Sequence, residues 1–330
     1  MQRFIANLRF AHKFILIGLV ALLMVVAPVT IAVRGEMSYF QAARNEASGI
    51  APAGEVLKLL QLSQQHRGMS AGYLGGNEGV KAAREAKRGE VDAALNTALL
   101  SVASLSSSQA NERAQRIRSD WTALADAVGS RAVDGPQSFA RHTALIAQQL
   151  DLLEDVTDVS GMTLDPVSET YFMIQAALSY LPQLTESLGQ ARAQGALVLA
   201  RGEASPEQRA RLAALNNLSR MHMRNAQKDM EKVFAAAPHL QQTLQAPVAA
   251  AWKAADEAFA LIDQQVVLAE TLTYPSADYF AATTRHIDAQ FALIDIVFKA
   301  LSTELRERES AAGQSLWTMA LALAALGLLG

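Results

Sequence analysis

Apolar residues recur along most of this chain at steps of three and four, the period of one helix face, and no stretch alternates every second position as a half-buried strand does. Val91, Leu95, Leu99 and Val102 form one stripe, and Ile117, Trp121, Leu124 and Val128 a second. Phe139, Ile146, Leu150, Leu153 and Val156 form a third. Breakers separate the runs: Pro52, the glycines at 75, 76 and 79, the serines from Ser104 to Ser108, Gly129, and the turn Asp134-Gly135-Pro136. Start signals are equally clear. Asp165-Pro166 predicts an N-cap followed by proline at the first helical position, with a bend at Pro182 farther on. Ser205-Pro206-Glu207-Gln208 predicts a capping box, Pro238 opens the next run, and Ser276 caps the last. The fold class expected is all-α. Eight helical runs are expected between the two ends, bundled as two four-helix units in tandem and divided near Gly161, or merged into one elongated bundle.

The ends differ from the middle. Phe14 to Val33 is a twenty-residue run without a charge, the length a helix needs to cross a hydrocarbon core of about 30 Å. Arg3, Arg9 and Lys13 precede it and no acid appears before Glu36, so the positive-inside rule puts the N-terminus in the cytoplasm and the residues after Arg34 outside. A cleaved signal peptide is the competing reading, although its apolar core runs only about 7–15 residues. Leu316 to Gly330 is again uncharged and reads as the start of a second membrane helix that continues farther. The expected organisation is a cytoplasmic N-terminus at 1–13, a transmembrane helix at 14–33, helical bundles at 34–160 and 161–313, and a truncated second transmembrane helix at 314–330.

Composition narrows the chemistry. With no cysteine among 330 residues, disulfides and thiolate metal sites are excluded, and no cofactor is expected. A net charge of −3 without a basic stripe argues against nucleic acid as partner. Asp151, Glu154, Asp155 and Asp158 share helical spacing, but no Glu-x-x-His pair accompanies them, so they read as a solvated face rather than a metal stripe. None of the histidines sits in a His-Glu-x-x-His or nucleophile motif, so no enzyme is expected.

One stretch stands apart. In Ser63 to Leu74, SQQHRGMSAGYL, Arg67 falls on the same helical face as Val56, Leu59, Leu60 and Ser63, and small residues follow it. An arginine on a packed face wants an anionic partner. A salt bridge, a snorkelling side chain and an anion site between closely approaching helices all meet that need, with Gly68, Ala71 and Gly72 allowing the approach. Gln64 and Ser70 lie one turn to either side and complete a candidate ligand shell; Tyr73 reads as packing. Farther on, Arg192 and Gly195 follow a leucine face in Leu181 to Leu199, an echo that nominates Arg192 as a second cation.

The stretch resembles the nitrate- and nitrite-sensing domain family of bacterial signal transducers, whose first helix carries Leu-Gln-x-Glu-Arg-Gly, then small residues and Tyr-Leu. Gln64, Arg67, Gly68, Ser70, Gly72, Tyr73 and Leu74 match; Ser63 stands where the motif has leucine and His66 where it has glutamate. The segments from Asp165 to Leu184 and from Tyr274 to Asp288 are similar to sensory regions of methyl-accepting chemotaxis proteins and of some membrane cyclases and histidine kinases. The resemblance implies an all-helical periplasmic sensor with Arg67 contacting a small oxyanion. It further implies an inner-membrane chemoreceptor, a symmetric homodimer, and cytoplasmic signalling partners. A kinase or cyclase output and a ligandless ectodomain are the alternatives.

Overall fold

The computed structural model describes residues 9–329, among which there is no strand. Arg3 and Gly330, on which parts of the membrane reading rest, lie outside the described residues. Among the described residues ten α-helices follow one another: α1 Phe10–Ser48, α2 Ile50–Leu74, α3 Lys81–Ala103, α4 Ser108–Gly129, α5 Gly135–Ser160, α6 Ser168–Ile174, α7 Leu181–Arg201, α8 Pro206–Ala236, α9 Pro238–Ile262 and α10 Ser276–Leu329. A π-helical segment, Gln175–Tyr180, joins α6 to α7, and a second, Asp263–Val267, extends α9.

These helices belong to two units, Met1–Asn45 with Arg306–Gly330, and Glu46–Leu305. In the first, the apolar stretch of α1 faces outward, with Phe14, Ile17, Leu22, Met24 and Ile31 all more than half exposed. Burying such a band in a bilayer removes the exposure. Among the described residues this is the one helix long and apolar enough to cross a membrane. In the same unit the Ser315 hydroxyl donates to Glu36 and Gly313 lies against the ring of Phe40.

In the second unit α2 is the central element, packing against α3, α5 and α7, with Gly54 against Phe298 of α10. The predicted stripes are what it buries: Val91, Leu95 and Val102 of α3, Ile117, Trp121, Leu124 and Val128 of α4, and Ile146, Leu153 and Val156 of α5 are at most 4 % exposed. On the other side α7 packs on α8, and α8 on α9. Gln290 of α10 donates to the Ala251 carbonyl of α9, and Tyr279 of α10 to the Ala191 carbonyl of α7. Two capping boxes start helices as their sequences require, Asp134 with Gln137 at α5 and Ser205 with Gln208 at α8. Gly161, with φ of 83°, ends α5 in the left-handed region that glycine adopts without strain.

Three local expectations are corrected. Asp165 does not cap a helix: its side chain accepts from the Val167 amide in a turn, and α6 starts three residues later, at Ser168. The Ser276 hydroxyl donates to the Ala196 carbonyl of α7, tying two helices together. Asp155 leaves the solvated face, being 7 % exposed and held by Arg113 and Gln109. A π segment stands just before Pro182, where proline offers no amide hydrogen and its ring crowds the carbonyl four residues earlier.

Close approach of α7 to α10 depends on Gly195, where an added Cβ would fall 2.3 Å from the Tyr279 hydroxyl and 2.5 Å from its ring carbon. Tyr279 is fully buried. Gly195→Ala is therefore expected to cost about 1–3 kcal/mol through overpacking, read as a lower urea midpoint with unchanged slope.

Candidate functional site

The apolar face of α2 carries Arg67 into the interior, where it is 2 % exposed. Its Nη1 and Nη2 donate to the two carboxylate oxygens of Glu186 on α7, at 2.6 and 2.9 Å, and Nη1 also donates to the Thr143 hydroxyl at 3.1 Å. Phe139 lies under the guanidinium. This paired, planar geometry is the strongest form of arginine–carboxylate contact. Of the readings the sequence left open, the salt bridge is thus present.

A second guanidinium lies alongside. Arg192 of α7, 6 % exposed, donates from Nη1 to the Thr284 hydroxyl of α10 at 2.9 Å and stacks on Phe280. The two arginines use each other's glycines. A Cβ on Gly68 would lie 3.3 Å from Arg192 Nη2, and one on Gly189 would lie 2.8 Å from Arg67 Nη2. Each helix thus omits a side chain where the other places its cation. Gln64 belongs to the same cluster. Its amide nitrogen donates to Thr185, and its unpaired oxygen lies 3.7 Å from where a Gly189 Cβ would be. Ser70 does not: its hydroxyl faces His66 Nδ1 at 3.3 Å.

Charge is unbalanced here. Of the two buried guanidinium groups only Arg67 has a carboxylate within ion-pair distance; among the described residues Arg192 makes no ion pair, and Asp288 and Glu186 act on it from farther off. Burial, and after it the neighbouring Arg67 charge, lower the Arg192 pKa to about 10, which still leaves it protonated at neutral pH. Nε of Arg67 and Nε of Arg192 have no partner, and buried donors in native proteins are rarely left so. A monovalent acceptor would satisfy both counts.

Beside the cluster, α5, α7 and α8 border a cavity of about 420 Å³. Glu186, Ser187 and Gln190 of α7 line it from one side and Asp151, Glu154 and Asp158 from the other. Gln190 donates to Glu186 Oε1 at 2.9 Å, so that carboxylate already touches the cavity wall.

A histidine pair that no sequence motif links adjoins Arg67. His66 Nδ1 and His142 Nε2 are 2.9 Å apart, both rings are fully buried, and the edge of Trp121 meets His66. His142 Nδ1 lies 2.8 Å from the Ser138 carbonyl, which can only accept, so the His142 proton sits on Nδ1 and its Nε2 accepts from His66 Nδ1. That leaves His66 Nε2 as a buried acceptor without a partner. Burial, reinforced by the His142, Arg84 and Arg88 charges, drops the His66 pKa to about 2, and burial, partly offset by the Ser138 carbonyl, drops that of His142 to about 4. Both rings are neutral in the fold.

Comparison with known proteins places this geometry. No curated protein matches the chain. In fold it is similar to the solved structure of the NasR transcription antiterminator, with a TM-score of 0.65 at 18 % identity over 89 % of this chain and 84 % of that one. The model of the family described as nitrate and nitrite sensing matches residues 58–306, which include the Arg67 stretch, Glu186, Arg192 and the first part of α10. The chain belongs to the nitrate- and nitrite-sensing family.

Proposed function

We propose that the chain is the oxyanion-sensing region of a membrane-anchored bacterial signal transducer, with Arg67 and Arg192 as the groups that hold nitrate or nitrite. The observation that carries this is the pair of buried guanidinium groups, seated on each other's glycines, of which only Arg67 has a carboxylate within ion-pair distance among the described residues. A planar oxyanion suits guanidinium because two of its oxygens accept parallel hydrogen bonds. Gln64 borders the bound ion. Ser70 acts at one remove, by holding His66. The oxyanion accepts from the guanidinium groups and leaves the arginines in place.

The anion links helices of different origin. Arg67 comes from α2, Arg192 from α7, and Thr284, which holds Arg192, from α10. Binding that favours one packing of these three over another shifts the population only by the difference in affinity between the two packings. The membrane reading adds direction. Residues 14–33 cross the inner membrane, the N-terminus is cytoplasmic, residues 34–313 are periplasmic as two helical bundles dividing at Gly161, and the stretch from 314 begins a second crossing. Chemoreceptor output through a homodimer and a cytoplasmic partner fits this arrangement, with a kinase or cyclase as the alternative output. The similar fold of the NasR transcription antiterminator is in keeping with one helical frame serving different outputs.

Titration calorimetry of the chain in lipid nanodiscs tests the reading. Nitrate and nitrite should give saturable heat, and Arg192→Ala, which breaks no ion pair, should weaken nitrate binding by about 10–100-fold, the worth of a buried charge-assisted hydrogen bond. Unchanged affinity in that variant would remove Arg192 from the site. No heat with the unaltered chain would favour a ligandless ectodomain.

A further inference from the structure

We propose that Glu186 is a resident stand-in for the sensed anion: an incoming ion with the same planar fork displaces it from Arg67, and the freed carboxylate turns into the adjacent cavity. The inference rests on the reading of the arginine pair as the anion site and adds what occupies it beforehand and which ions can take that place.

The Glu186 carboxylate presents two coplanar oxygens to two guanidinium nitrogens, at 2.6 and 2.9 Å. Nitrate, nitrite and formate offer the same fork. Arg67 itself does not line this cavity, and its Nε and that of Arg192 are sealed from solvent. Of the residues lining the 420 Å³ space, Glu186 is the one bonded to the guanidinium. Its movement is therefore the shortest way to open a path. The far side of that movement is prepared, because Gln190 already donates to Oε1 and lines the cavity together with Ser187, Gln183 and Ser179.

The opposite wall sets the balance. Asp151, Glu154 and Asp158 line it, Asp151 paired with Arg113 behind it at 2.9 Å, and no lysine or arginine is among the lining residues. His222 also borders the space, with a pKa that burial lowers, so it adds no positive charge at neutral pH. A carboxylate arriving there meets like charge, so Glu186 is biased back towards Arg67 and the anion has to outcompete it. The competition raises the concentration at which the site fills. It also defines the ligand class as monovalent planar oxyanions, small carboxylates included, with sulfate excluded by its second charge, which costs far more to strip of water in a site sealed from solvent.

Calorimetry of the full chain in nanodiscs, unaltered and as Glu186→Gln, decides. With the competing charge removed, Glu186→Gln should bind nitrate about tenfold tighter, formate should compete with nitrate in the unaltered chain, and sulfate should do neither. If the unaltered chain binds nitrate and Glu186→Gln binds it equally or more weakly, Glu186 is a supporting residue and the proposal falls while the arginine site stands. Failure of formate to compete, or sulfate binding as well as nitrate, overturns it too. No nitrate heat in either protein would sink the arginine site itself, a different failure. If Glu186→Gln does not fold, the formate and sulfate titrations on the unaltered chain decide alone.

Discussion

Arg67→Ala is expected to abolish nitrate binding and to destabilise the protein by about 3–5 kcal/mol, the cost of leaving one half of a buried ion pair uncompensated. Glu186, only 7 % exposed, would then keep its Gln190 contact but have no cation. A loss of that size is a large share of the roughly 5–15 kcal/mol that holds a protein folded, so the variant alone cannot separate a lost ligand contact from a weakened fold. The double replacement Arg67→Met with Glu186→Leu does so. Removing both charges and keeping the volume should restore most of the stability, as buried pairs exchanged for apolar side chains commonly do, while nitrate binding stays absent. Urea denaturation and calorimetry on the three proteins give the answer. Recovery of binding in the double variant would show that the anion sits elsewhere, and an Arg67→Ala protein of undiminished stability would show that the pair is solvated.

Acid should act through the histidines. Both rings are neutral in the fold, with pKa values of about 2 for His66 and about 4 for His142, whereas in the unfolded chain each titrates near 6.5. Below that value the unfolded state binds more protons, so stability is fully present above about pH 6.5 and falls as pH drops towards the folded values. At pH 5 the pair should have given up about 4 kcal/mol, close to 2 per ring. Urea midpoints measured between pH 7 and 5 would show the slope. Replacing His66 and His142 together by leucine should flatten it, leaving the smaller contribution of His222 and His286, whose pKa values burial also lowers. A slope unaltered by the double replacement would place the acid sensitivity outside this pair.

Much of the scaffold is readable because its signals are local. A capping box needs four consecutive residues, and Ser205 to Gln208 supply them in order. The stripes on α3, α4 and α5 need only the helical period. Asp165-Pro166 misleads because an aspartate before proline serves an Asx turn as well as an N-cap, and the residues after the proline decide between the two. The site is half legible. Arg67 and Arg192 stand out as cations beside glycines on apolar faces, and the fold puts each over the other's glycine. Glu186 does not stand out, since 119 positions separate it from Arg67 and a glutamate on a polar turn of helix has no distinguishing neighbour. The pairing of His66 with His142 across 76 positions is hidden for the same reason. Ser70 suggests a ligand by its spacing alone, and spacing does not tell which of two neighbours a hydroxyl will choose.

The wide turn between α6 and α7 holds one residue more than an ordinary helical turn would. Such a surplus can travel along a helix by exchanging one carbonyl partner at a time, keeping the number of hydrogen bonds nearly constant. Each residue it passes is rotated by about 100° about the axis. Pro182 stands between that turn and Glu186, and a residue without an amide hydrogen has no carbonyl partner to exchange, so the surplus is held where it is. The extra residue thus sets, for every position beyond it, the direction in which this helix presents Glu186 and Arg192.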